Sequence, residues 1–120
     1  MNRVIKFRAW DKELKTMYSW EAMLAIFELG DLNKNTTSAL SQNAGIVFMQ
    51  FTGLKDKNGK EIFESDIIKT PRDIFEVIYK DCEFGRETTN GIVSLVTVRN
   101  YEGEELEIIG NIYENPEILK

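Results

Sequence analysis

The chain has 120 residues, of which 42% are apolar and 29% charged, proportions that fit a globular domain and exclude disordered, fibrous or low-complexity character. One hydrophobic core suits this length, so a single domain over residues 1–120 is expected. With no histidine and one cysteine, Cys82, the sequence excludes imidazole-dependent triads, histidine-ligated metal centres and an internal disulfide.

The net charge of −5 is unevenly spread: residues 1–60 carry +3 and residues 61–120 carry −8. An acidic chain has no global pull toward phosphate, so a nucleic-acid role needs a local basic patch. No apolar run reaches membrane-spanning length and the first ten residues lack the apolar stretch of a secretion signal; a cytoplasmic protein without membrane contact is expected.

Taken in chain order, Arg3 to Trp10 alternates, with Ile5, Phe7 and Ala9 on one face and Lys6, Arg8 and Trp10 on the other, as in a half-buried strand. Asp11 to Lys15 reads as a turn into a short partner strand, Thr16-Met17-Tyr18. The period then changes. Trp20, Met23, Leu24 and Phe27 fall at helical spacing behind a capping Ser19, predicting a helix over 20–29, apolar nearly all round, whose uncovered side suggests a partner subunit. Asp31 to Gly45 lacks periodicity and is rich in Asn, Ser and Thr, which predicts a mobile loop.

Ile46 to Phe51 reads as a buried strand bounded by Gly45 and Gly53. Asn58-Gly59 then predicts a tight reversal, because both residues tolerate positive φ. Glu61-Ile62-Phe63 and Asp66 to Lys69 read as strands, the latter stopped by Pro71. Ile74 to Lys80 reads as one strand with Phe75, Val77 and Tyr79 on one face. Ile92 to Arg99 and Leu106 to Tyr113 read as a final strand pair joined around Glu102-Gly103, with Gly110 marking a bulge or a close backbone approach. The fold class expected is mainly β, a small antiparallel barrel with one short helix.

Three groups of residues invite a chemical reading. Lys6, Arg8 and Trp10, with Trp20 and Phe27 further on, form a candidate binding surface; the first three match a phosphate-pairing and base-stacking strip for single-stranded nucleic acid, against the plainer reading of a charged edge strand. Glu61, Glu64 and Asp66 form an acidic cluster, and strand geometry puts Glu64 and Asp66 on one face. Asp56, Asn58 and Gly59 imitate part of a calcium loop, but Leu54 and Ser65 stand where its first and last ligands belong, so the hairpin reading wins and no metal is assigned. Cys82, between Asp81 and Glu83, is poorly placed for a nucleophile, and the absence of a phosphate-binding glycine loop leaves no cofactor to assign.

Three stretches carry a resemblance: Lys6-Phe7-Arg8-Ala9-Trp10-Asp11; Met49 to Ile62, which includes Thr52, Gly53, Asp56, Asn58 and Gly59; and Ile109 to Pro116, which includes Gly110 and Asn111. Together they resemble the YopX proteins of bacteriophages and prophages. The resemblance implies an SH3-like β-barrel with an N-terminal strand extension, a phage or prophage origin and no established activity. Relatives commonly read Glu-Gly-Asp where this chain has Glu64-Ser65-Asp66, which argues against a left-handed backbone there. The leading expectation is a non-enzymatic accessory module, working alone or as a homo-oligomer, that binds a host or phage protein through the apolar helix or the acidic second half. Nucleic-acid binding through Lys6, Arg8 and Trp10 is the alternative, and a metal-assisted hydrolase using Glu64 and Asp66 ranks last.

Overall fold

A computed structural model describes residues 4–28, 45–101 and 105–119, with the side chains of 26–28 and 101 outside that description. The expected loop over 31–45, apart from Gly45, and the turn at Glu102-Gly103 lie outside the described residues. The chain is mainly β with antiparallel pairing throughout, as its alternation predicts. It divides into two compact units, Ile5–Gln50 and Met1–Val4 with Phe51–Lys120.

In the first unit, β1 (Phe7–Asp11) pairs with β2 (Thr16–Tyr18) on one side and with the start of β3 (Ile46–Lys55) on the other. The turn between β1 and β2 forms because the Asp11 carboxylate accepts the N–H groups of Glu13 and Leu14 at 2.9 and 3.0 Å. Helix α1 (Trp20–Glu28) starts where expected: the Ser19 hydroxyl accepts the Ala22 N–H at 3.1 Å. Met23 is buried against Ala9 and Ile46, with Phe7, Tyr18 and Trp20 around them. Each large apolar side chain so buried stabilises by about 1.5–3 kcal/mol. Leu24, predicted for the inward face, is instead 42% exposed.

The second unit starts with the hairpin of β3 and β4 (Glu61–Phe63). Gly53 does not bound the strand: β3 continues through it to Lys55. Gly53 adopts φ +90° at a shift in register, and the Thr52 hydroxyl bridges the irregularity by donating to the Ile62 carbonyl at 2.8 Å and accepting the Leu54 N–H at 3.2 Å. Asn58-Gly59 makes the predicted reversal, with Gly59 at φ +83°.

Beyond the hairpin the pairing is less local. β5 (Asp66–Lys69) is the middle strand between β6 (Ile74–Glu76) and β10 (Glu107–Asn111). β7 (Ile78–Lys80), β8 (Glu83–Thr88) and β9 (Gly91–Ser94) form a separate meander. The predicted strand 74–80 is therefore two strands that serve different sheets. The break falls at Val77, whose N–H donates to the Asp66 carbonyl at 2.9 Å and whose carbonyl accepts the Ser65 N–H at 2.8 Å. Phe75 and Val77 are buried as read, but past this break Tyr79 is 53% exposed.

The predicted strand 92–99 also splits. After Ser94 the chain turns into helix α2 (Leu95–Tyr101), because the Ser94 hydroxyl accepts the Thr97 N–H at 3.1 Å and Leu95 and Val98, three apart, can both be buried. The last strand accordingly pairs with β5 rather than with its sequence neighbour. Leu95 and Val98 join Ile62, Ile68, Phe75, Val77 and Leu106 in one core. At Gly110 the register shifts as expected, and an added Cβ would lie 2.6 Å from Asn115 Oδ1, so the close approach is also found. A 3₁₀ turn, Pro116–Leu119, follows.

Candidate functional site

The residues singled out by sequence fall in three settings. Trp10 is 7% exposed, and β1 is an interior strand of its sheet rather than an edge, with Met17 and Val47 as the cross-strand partners of Trp10 on its two sides. It is not available for base stacking. Arg8, half-buried on the same strand, directs its Nε–H to the Met49 sulfur at 3.4 Å, and Lys6 precedes the strand. Trp20 is half-buried with its ring 6.3 Å from that of Phe7, while the Phe27 side chain lies outside the described residues.

The acidic cluster does not assemble as read. Glu64 and Ser65 form the tight turn between β4 and β5, so no strand runs from Glu64 to Asp66 to put them on a common face. Asp66 is buried, 1% exposed, and its carboxylate accepts the Phe63 N–H at 2.8 Å, closing the turn. Glu61 stands across the hairpin from Lys55. Ser65 sits at φ +72°: the left-handed backbone is adopted with serine in place. The described residues contain no group of three or more acidic or thiol side chains placed to hold a metal.

The motif residues of the middle and last stretches hold turns. Asp56, 6% exposed, accepts the N–H groups of Asn58 and Lys60 through Oδ1, both at 2.9 Å, and that of Ile108 through Oδ2 at 3.0 Å. Burial alone would push its carboxyl up; the donors from Ile108, Lys60 and Asn58, helped by the Lys60 charge, outweigh this and hold it below its ordinary value. Asn111 plays a similar part, accepting the N–H groups of Tyr113 and Glu114 at 3.1 and 2.9 Å and donating to the Glu114 carboxylate at 2.8 Å just before Pro116. These polar side chains are occupied by backbone, which is a structural employment.

Two hollows in the second unit escaped the sequence reading. The first, about 220 Å³, is a largely apolar groove over Leu54, Phe84, Leu95 and Val96 with Glu83 at its rim. Val96 is 44% exposed, and the exposed Tyr79 ring lies 4.8 Å from Phe84, centroid to centroid. The turn that carries these rings is made by Asp81 and the exposed Cys82, at φ +54° and +65°. The second hollow, about 400 Å³, is lined by Arg72, Asp73, Arg86, Thr88, Val93, Thr97 and Val98. Arg86 pairs with Asp73 and lies over the Phe75 ring at 5.2 Å, yet its buried Nε–H has no acceptor among the described residues. A buried N–H left so costs about 1–3 kcal/mol. The available sequence signal was Asn90-Gly91, a second hairpin dipeptide: it registers β8 against β9 and sets Arg86 opposite Val93.

The chain's likeness to known proteins agrees with this architecture. A crystal structure of protein EF1440 from Enterococcus faecalis superposes with a TM-score of 0.68 at 26% identity, covering 99% of this chain and 100% of that one. The crystal structure of YopX from Bacillus subtilis superposes with a TM-score of 0.58 at 20% identity, covering 100% and 98%, and so supports the fold alone. No curated protein matches. The model of the YopX protein family matches residues 6–120, nearly the whole chain, and with the shared fold this places the protein in the YopX family.

Proposed function

We propose that the protein is a non-enzymatic binding module that accepts a short segment of a protein partner, host or phage, in the groove over Leu54, Phe84 and Val96. The observation that carries this reading is the exposed Tyr79 ring set against the half-buried Phe84 that lines that groove, with the exposed Val96 also in its lining. Large rings left accessible next to a shallow apolar hollow are what an interface uses as anchors, since they bury much area at little cost in side-chain freedom. β7 is an outer strand of its sheet, the geometry from which an added strand is received. Glu83 on the rim and Asp81 in the adjoining turn favour a segment that carries Lys or Arg beside its apolar anchor. The acidic balance of residues 61–120 points the same way.

Selection from a library of displayed random peptides tests this directly. Enriched sequences should pair a basic residue with an aromatic or branched aliphatic one, and their binding should be lost in Val96→Glu and weakened about tenfold in Tyr79→Ala. No enrichment, or enrichment that survives both substitutions, would refute the proposal.

A further inference from the structure

Two asparagines precede glycine, Asn58 and Asn90, and both stand exposed at hairpin reversals. Glycine has no Cβ to shield its backbone nitrogen, so in this dipeptide that nitrogen can reach the amide of the preceding side chain. We infer that Asn90 is a site of spontaneous covalent modification, deamidation through a cyclic imide, and that Asp56 protects Asn58 from the same reaction. The Gly91 nitrogen yields its proton to solvent base and bonds to Asn90 Cγ; the Cγ–Nδ2 bond breaks and ammonia leaves. Water then opens the imide at either carbonyl, giving aspartate or the isomer whose main chain runs through Cβ and Cγ.

The two reversals share a frame and differ in what fastens it. Two residues before each asparagine stands a side-chain oxygen that accepts the asparagine N–H, from Asp56 at 2.9 Å and from Thr88 at 3.2 Å. The Asp56 carboxylate also holds the N–H groups of Lys60 and Ile108, and the Gly59 N–H, the nucleophile's own, is donated to the Asp56 carbonyl at 3.0 Å. Thr88 adds only its hydroxyl bond to the Gly91 carbonyl at 2.7 Å. Ring closure requires the turn to open, and more bonds must break at Asn58. A carboxylate flanking Gly59 also opposes the negative charge that develops on its nitrogen, whereas Thr88 is neutral and the neighbouring Glu87 is paired with Lys80 at 3.6 Å. At Asn90 the isomer lengthens the main chain where β8 and β9 begin to pair, at Thr88 and Gly91, and either product adds a carboxylate to the acidic half of the chain.

The full chain is aged in mildly alkaline buffer, folded and in urea, and its proteolytic peptides are followed by mass spectrometry and by methylation specific for the isomer. In urea both asparagines should react at comparable rates. In the folded protein Asn90 should react about tenfold or more faster than Asn58, the factor that one retained charge-assisted bond supplies. Asp56→Asn, which removes the charge, should accelerate the reaction of Asn58; because that variant is also destabilised, Thr88→Asp provides the converse and should slow Asn90. Equal or reversed rates in the folded chain, no reaction at Asn90, or rates unaltered in both variants would overturn the inference.

Discussion

Replacing Asp56 by alanine tests whether the central hairpin is fastened to the last strand by one carboxylate. Three backbone N–H groups lose their acceptor in that variant. Those of Asn58 and Lys60 belong to exposed residues that water can reach, so each loss is worth about 0.5–1 kcal/mol. The Ile108 N–H is partly buried and loses a charge-assisted bond from a residue 52 positions away, worth about 1.5–3 kcal/mol. The sum is about 2.5–5 kcal/mol, a large part of the 5–15 kcal/mol typical of a domain. It should appear in urea unfolding followed by circular dichroism and as a melting temperature lower by about 10 °C or more. Amide exchange of Ile108 should accelerate even where the global fold persists. The folded carboxyl is held below its ordinary value of 3.8, so its contribution is complete above that pH and is lost as pH falls through the folded value. Asp56→Asn, which cannot titrate and turns an amide nitrogen or a single oxygen toward Ile108, should therefore lie closest to the native protein in strong acid. A loss below about 0.5 kcal/mol with unchanged Ile108 exchange would refute the reasoning.

Other substitutions probe the backbone and the remaining buried charge. Ser65→Gly and Cys82→Gly each relieve a left-handed side-chain residue and should raise stability by about 0.5–1 kcal/mol, net of the added chain entropy, as read from chemical unfolding midpoints. Gly85→Ala would bring a Cβ within 2.0 Å of the Val93 carbonyl oxygen, a backbone atom that cannot swing away; about 3 kcal/mol or more should be lost, with the β8 and β9 amides exchanging first. Glu76, on β6, has its carboxyl raised above the ordinary 4.5 by burial, so it binds its proton more readily folded than unfolded. It therefore opposes folding increasingly as pH rises through the folded value, and Glu76→Gln should be more stable than the native protein at neutral pH, with the difference closing below 4.5.

Side-chain periodicity and punctuation were enough to place several elements. The alternation at Phe7 to Trp10, the Ser19 cap followed by Met23 and the Asn58-Gly59 reversal each express a local preference that the tertiary structure keeps. What the sequence could not disclose is which strand each segment meets. Ile74 to Lys80 alternates without interruption, yet Val77 exchanges its backbone hydrogen bonds with Ser65 and Asp66, and the strand changes sheets there. Ile92 to Arg99 is rich in β-branched residues, and only the core's demand for Leu95 and Val98 together, with the Ser94 cap, turns its second half into a helix. Trp10 alternates as a surface residue but lies in an interior strand, and Asp56 finds Ile108 far along the chain. The hollow around Arg86 likewise joins β8, β9, α2 and the turn after β5. Short-range preference fixes the period and direction of a segment; pairing and burial depend on contacts between distant parts of the chain, so they were decided only when the chain closed on itself.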